Sequence, residues 1–374
     1  MTDDFTLGIE EEYLLVDQDT GDLSPAPDTV MAACKEALGD AFSPEFLRCQ
    51  VEVGTPVSAD IAEARGHLAH LRRTVARIAG DYGLAPISAS CHPFANWREQ
   101  HHTDKDRYHQ LSRDMAAVSR RMLICGMHVH VGIGQPTHRI DLMNQMTYFL
   151  PHLLALSASS PFWQGGDTGL ASYRTTVFGG MPRTGLPPQF GSWDDFDCSV
   201  KALTGLGVIE DSSKIWWDLR PSSKFPTLET RVCDASPRLD DTITLAALIQ
   251  ATLRMLWRLS RQNQRWRQYD NVLLAENRWR ATRYGMAEGI IDFGAGQIVP
   301  FPQAVEDWLA LISVDADALG SQPPVARTRE MVAAGGSAAR QRAVLARAMA
   351  AGATRHEALR EVVRHLVAEF TQGL

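Results

Sequence analysis

The chain has 374 residues, 45% of them apolar and 22% charged, which is an ordinary globular composition with room for a sizeable core. Its formal net charge of −7 argues against a surface made for phosphate backbones or anionic lipid, so neither nucleic-acid nor membrane partners are expected. The acidic opening Met1-Thr2-Asp3-Asp4 leads into no signal-peptide h-region, no apolar run nears the ~20 residues that cross a bilayer, and six cysteines (Cys34, Cys49, Cys91, Cys125, Cys198, Cys233) form no Cys-x-x-Cys pair, so a cytoplasmic protein with reduced thiols is expected.

Residues 5 to 16 read as a strand. Side chains alternate across a strand, so Phe5, Leu7, Ile9, Tyr13 and Leu15 share an apolar face broken only by Glu11, while Glu10 and Glu12 stand on the other about 7 Å apart. Glu11 then needs a buried partner, for which Arg280 is the candidate. After a turn rich in Gly and Pro comes a short helical segment near Thr29 to Leu38, and residues 46 to 53 alternate again, with Arg48, Gln50 and Glu52 on the polar side. Ser58 to Tyr82 has a helical stripe (Ile61, Leu68, Leu71, Val75, Ile78) and reads as scaffold; 103 to 120 is a second helical segment. Next, Met127, Val129, Val131 and Ile133 share one strand face and His128 and His130 the other. Ile140 to Ala158 reads as a buried helix. Ser159 to Trp193, rich in Gly, Pro and aromatics, reads as a long ordered loop suited to a substrate wall or lid, in which Tyr173 and Arg174 are candidate substrate contacts. Two more strands are expected, Lys214 to Arg220 and Thr227 to Asp234; Glu229 and Arg231 share a face of the second, and Asp218 and Arg220 on the first suit an ion pair. Residues 241 to 261 and 338 to 370 read as helical.

Taken singly, a strand glutamate is most often solvated and a strand histidine most often hydrogen-bonded. Four strands that each pair an apolar face with one bearing carboxylate, imidazole or guanidinium describe a single charged sheet face. Glu10, Glu12, Glu52 and Glu229 converging there would cost several kcal/mol in repulsion and desolvation without cations. Carboxylates with an imidazole and no thiolate suit Mg²⁺ or Mn²⁺, ions that share substrate phosphates, so ATP is the natural co-ligand. No Gly-x-x-x-x-Gly-Lys-Ser/Thr cradle and no Rossmann fingerprint is present, so metals and arginines on the sheet would have to hold it.

Gly8-Ile9-Glu10-Glu11-Glu12-Tyr13 resembles the Gly-x-Glu-x-Glu-aromatic strand of the glutamine synthetase superfamily, and Gly126-Met127-His128-Val129-His130 its Gly-Met-His-x-His strand; Gln50-Val51-Glu52 and Glu229-Thr230-Arg231 resemble the remaining two, in the same order. Through Thr168-Gly169-Leu170-Ala171-Ser172-Tyr173-Arg174, Trp217-Asp218-Leu219-Arg220-Pro221, Leu228 to Asp234 and Asn277-Arg278-Trp279-Arg280-Ala281 the chain is most similar to the glutamate–cysteine ligase type 2 family, and there to the YbdK-type carboxylate-amine ligases. The resemblance implies an α+β fold: one glutamine synthetase-like catalytic domain over 1–374, a curved, mostly antiparallel sheet with helices on one face and a helical C-terminal region from about 303. It implies Glu12 and Glu52 on one Mg²⁺, with Glu10, His128 and Glu229 on the other. Arg231 and His130 would face ATP, and Arg231 and Glu229 would be catalytic. Glu45 falls near a further ligand position but off in spacing and is left out. The implied reaction activates the γ-carboxylate of L-glutamate as an acyl phosphate and joins it to L-cysteine or another small amine. Alternatives are a guanidino-kinase-like phosphotransferase and a non-catalytic Mg·ATP-binding protein. Sheet edges and apolar C-terminal helices would suit a homodimer.

Overall fold

A seven-stranded antiparallel sheet organises the protein, seen here in a computed structural model that describes residues 4–374; residues 1–3, at the opening read as free of a leader, lie outside the described residues. Its strands are β1 (Leu7–Asp17), β2 (Phe42–Pro44), β3 (Gln50–Gly54), β4 (Leu84–Ile87), β5 (Met127–Gly132), β6 (Leu219–Pro221) and β7 (Thr227–Thr230), in the order β6-β7-β5-β1-β3-β2 with β4 also on β1. Glu10 pairs with both Gly54 and His128, and Leu14 with both Gln50 and Ile87, so β3 holds one edge of β1 while β5 and β4 share the other.

The alternation expected from the sequence is the one observed: Leu7, Ile9, Glu11 and Tyr13 are buried while Gly8, Glu10 and Glu12 are partly open. Helices α1 (Ile61–Gly80), α2 (Pro136–Met146), α3 (Leu150–Ser157), α4 (Leu239–Arg261) and α5 (Phe301–Ala318) layer over the apolar face, α1 and α4 directly on β1 and α3 and α5 on α4. Asp60 starts α1 by accepting hydrogen bonds from the N–H groups of Ala62 and Glu63, and Leu68, Leu71, Val75 and Ile78 then sink into the core. Helices α6 (Gly336–Ala350) and α7 (Arg355–Thr371) close the chain, separated by a capping box at Thr354 and Glu357. Leu14 and Val16, on the Glu12 face of β1, are buried with Val362, Val363 and Leu366 of α7, which confines the wet face to the Glu10–Glu12 end. No helix among the described residues is long and apolar enough to cross a membrane.

Several expectations are corrected. Glu11 pairs with Arg72 of α1, not Arg280: both side chains are fully buried, Arg72 Nε and Nη2 donate to the carboxylate at 2.8 and 2.5 Å, and Tyr13 and Thr242 each add a hydroxyl donor at 2.6 Å. Arg280 instead donates to Gly289 O. Residues 46 to 49 bend out of the sheet, the helix expected over 103–120 runs only Asp106–Met115, and the one expected over 140–158 breaks at a 3₁₀ turn, with Pro151 in the first turn of α3 where its missing N–H costs nothing. The long loop contains the ladder Phe162–Trp163 with Gly166–Asp167 and the short helix Arg174–Phe178. Trp216–Trp217 leave the main sheet to pair with Thr184–Gly185. β7 stops at Thr230 because the N–H groups of Arg231 and Val232 both turn to Asp218 O, at 2.8 and 3.1 Å.

Candidate active site

Strand register assembles the site. Glu12 lies opposite Glu52, Glu10 opposite His128, Glu229 opposite His130 and again opposite Arg220 on β6, so neighbours across five strands share the open face. Two groups result, each with ligand atoms within 4.8 Å of one another: Glu10, His128 and Glu229, and Glu12, Glu45 and Glu52. The first is the set expected from sequence. The second gains Glu45, because the bend after β2 turns it back over β3; Thr103 Oγ1 fixes that bend by donating to Glu45 O at 2.6 Å.

His128 Nδ1 is 3.1 Å from Glu10 Oε2, and His130 Nε2 is 3.4 Å from Glu10 Oε1. Burial raises the Glu10 pKa, but hydrogen bonds and charge from His128 and His130 win and hold it well below the usual carboxylate range. Burial lowers His128 to about 4, aided by Arg231, so the imidazole is neutral and able to ligate at neutral pH. Burial also works against Glu229, yet Arg231 and Arg220 hold it strongly ionised; Arg220 grips it through Nε at 2.9 Å and Nη2 at 3.2 Å, and Arg231 Nη1 meets its Oε1.

The other group behaves oppositely. Burial first and Glu52 second push Glu12 up, and burial followed by Glu45 and Glu10 pushes Glu52 up. Gly126 N–H donates to Glu12 Oε2 at 2.7 Å and Ser43 Oγ to Glu52 Oε1 at 3.4 Å, which does not offset the crowding. Three converging carboxylates, beside a carboxylate–imidazole set with no thiolate, fit a pair of hard divalent cations. Arg231 Nε is buried without a hydrogen-bond partner among the described residues, and His130 Nε2 meets only Glu10 Oε1, at a long 3.4 Å, which leaves polar capacity for a ligand at the same face.

Other residues are placed plainly. Asp218 and Arg220 do not pair with each other: Asp218 is held by Arg278 at 2.6 and 3.1 Å, since Arg220 is already committed to Glu229. Gln50 serves structure, accepting from Leu47 N–H and donating to Ile124 O. Arg174 is turned inward, donating to the carbonyls of Arg231 and Val232 at 3.2 and 3.4 Å, and its charge is felt at Glu12. Tyr173 is half-buried with its ring against Trp163.

Residues 6–365 match the Glutamate-cysteine ligase family 2. A Paracoccus denitrificans protein named "Putative glutamate--cysteine ligase 2" is 68% identical over 371 residues, covering 99% of both chains. One of the same name from Rhodospirillum rubrum is 54% identical, covering 99% of this chain and 96% of that one. Among solved structures, the Francisella tularensis glutamate–cysteine ligase in complex with AMP superposes with a TM-score of 0.69 at 14% identity, covering 98% of this chain and 89% of that one. A bifunctional glutathione synthetase from Pasteurella multocida also gives 0.69, at 13% identity, covering 99% of this chain and 53% of that one. The two structures share the fold, a glutamine synthetase-like sheet, and with a family match and close relatives that run nearly its whole length, the chain belongs to the glutamate–cysteine ligase family 2 and is a carbon–nitrogen ligase.

Proposed function

We propose that the protein is an ATP-dependent carboxylate-amine ligase that joins the γ-carboxylate of L-glutamate to the amine of L-cysteine or another small amine through an acyl phosphate, with Mg²⁺ or Mn²⁺ as the ions. The observation that carries this reading is the split of one sheet face into two ligand groups, Glu10–His128–Glu229 and Glu12–Glu45–Glu52. It is supported by the family match and by a structural neighbour that binds AMP.

When bound, the ions would neutralise the phosphate charge and template the transfer. The remaining work falls to the chain. Glu229, clamped by Arg220, holds Arg231 in place, and Arg231 keeps its Nε free to meet phosphate oxygens in a dry setting where such a donor is worth most. His130, fixed through Nδ1 to Thr227 Oγ1 at 3.0 Å, presents Nε2 on the same side. In the first step a γ-carboxylate oxygen attacks the terminal phosphorus and ADP leaves; in the second the amine nitrogen attacks the acyl carbon and phosphate leaves. Neither step needs a serine or cysteine nucleophile, and position and charge suffice.

The test is ADP and phosphate release from Mg·ATP and L-glutamate, with and without a panel of amines led by L-cysteine. A product lighter by one water than its two substrates is expected. A phosphorylated product, or ATP binding with no turnover under any acid and amine, would overturn the reading.

A further inference from the structure

Residues 97–121 fold against the bend that carries Glu45. Thr103 N–H donates to Phe46 O at 2.8 Å, Arg48 N–H to His101 O at 3.0 Å, and the Tyr108 hydroxyl to Pro44 O at 3.1 Å. Between the two segments lies an open cavity of about 400 Å³ whose lining includes Phe46, Leu47, Trp97, His102 and Arg120. Phe46 and Leu47 belong to one buried cluster with Leu14, which follows Glu12 by two residues on the same face of β1. The cavity is thus walled by Phe46 and Leu47, the two residues that follow Glu45 in the bend, and so lies beside the Glu12–Glu45–Glu52 group.

His102 is the imidazole of that lining, and its tautomer is set by a relay. His109 Nε2 lies 2.7 Å from Asp104 Oδ1, and His109 Nδ1 lies 3.2 Å from His102 Nε2. With Nε2–H of His109 donated to the carboxylate, its Nδ1 accepts from Nε2–H of His102, and the lone pair of His102 Nδ1 is left without a hydrogen-bond partner among the described residues. Asp104 stands in solvent, so it selects a tautomer more than it supplies a field. Phe46 stacks on the His102 ring at 6.2 Å and 15°, fixing its plane.

We propose that His102 is the base that takes the proton from the amine acceptor, received in this cavity; the inference rests on the ligase reading above. At neutral pH an alkyl amine is an ammonium ion with no lone pair to offer. His102 Nδ1 accepts one proton, and the freed nitrogen attacks the acyl carbon. The C–N bond forms, and the C–O bond to phosphate breaks with its electron pair leaving on phosphate. The second nitrogen proton goes to the departing phosphate, and His102 returns its own to solvent. The carboxylates nearby serve as ligands, which leaves an imidazole outside the ligand set for the proton. His109 and Asp104 are positioning residues.

Hydroxylamine separates this role from a structural one, because it is largely unprotonated near neutral pH and needs no base. His102→Gln is expected to lower amide formation with L-cysteine, or with the best amine of the panel, by about 10²-fold or more. Hydroxamate formation from the same glutamate and Mg·ATP should fall less than about tenfold. Asp104→Asn, at an exposed position, keeps the question open to measurement should the first variant fold poorly, and should give a smaller split in the same direction. Equal losses of both products, or no loss of either, in both variants would overturn the assignment. A wild-type protein that makes neither amide nor hydroxamate fails the ligase reading itself and takes the relay with it.

Discussion

Gly126 shows how closely the support of the site is packed. Its N–H donates to Glu12 Oε2 at 2.7 Å and its carbonyl accepts Glu12 N–H at 3.1 Å, while the Arg174 guanidinium lies over its α-carbon. A methyl group there would sit 2.9 Å from Arg174 Cζ and nearer still to Nη2, closer than real carbon contacts allow, with Nε tight at 3.0 Å. Arg174 cannot yield cheaply. It is 4% exposed, bonded to the carbonyls of Arg231 and Val232, and faces Asp234 at 4.0 Å. Overpacking costs about 1–3 kcal/mol and each hydrogen bond lost by a charged donor about 1.5–3 kcal/mol, so Gly126→Ala should destabilise by about 3–5 kcal/mol if the guanidinium is displaced. Arg174→Ala vacates the same space, and Asp234 keeps donors from Ser159 N–H, Ser160 and Ser172, so that background should still fold. Urea unfolding of wild type, both single variants and the double variant forms a cycle in which Gly126→Ala should cost about 1 kcal/mol or less once Arg174 is gone. Strictly additive costs, or a single Gly126→Ala variant within about 0.5 kcal/mol of wild type, would refute the contact as the cause.

Glu10→Gln should abolish amine-dependent ADP release with near-native melting, and Glu229→Gln should abolish it while also costing about 3–5 kcal/mol of stability, because Arg220 and Arg231 lose their buried counter-charge; activity like wild type in either would remove that residue from the proposed ligand set. Glu45→Gln deletes one charge of the second group, and after the relief of Glu52 is subtracted it should weaken one of two Mn²⁺ sites by about 2–3 kcal/mol, or about 30–150-fold, with an unchanged calorimetric titration returning Glu45 to a bystander. Burial pushes His92 down to about 4, and its Nδ1 accepts from the N–H groups of Phe94 and Ala95 and so resists a proton. Between pH 6.5 and about 4 the unfolded chain binds the proton that folded His92 refuses, so this contribution, up to about 3 kcal/mol, is fully present above pH 6.5 and lost as pH falls towards 4. His92→Gln should flatten the fall in urea midpoint over that window, and a parallel fall in both proteins would sink the argument.

Alternation made most of the site legible before any coordinates. Glu10 with Glu12 and His128 with His130 are each two residues apart on strands whose other face is buried, and the sheet register simply sets them beside Glu52 and Glu229, with Arg231 following just past the end of β7. Glu45 had no such signal: it sits in an irregular bend whose shape depends on Thr103, more than fifty residues on, and no local period reports that contact. Arg72 could have been found. It falls between Leu68 and Val75 on the stripe of α1, the one charge on that buried face, just as Glu11 is on the apolar face of β1, and two such misfits in one core call for each other. Asp218 misled because Trp216–Trp217 and Leu219–Pro221 belong to different sheets, so alternation does not carry across them.

The Glu11–Arg72 pair has a meaning beyond stability. Three glutamates in a row are nearly self-similar, and strand pairing by backbone alone could settle one notch or two away from the native alignment. A slip of one residue would turn Glu10 and Glu12 into the apolar core. A slip of two keeps polar against polar, but sets Ile9 or Tyr13 where Arg72 awaits a carboxylate, leaving a buried guanidinium without its counter-charge at about 3–5 kcal/mol. A residue that never meets substrate thus acts as the key that lets only one alignment of the strand fit, and the carboxylates of the open face inherit their spacing from a lock on the opposite side of the sheet.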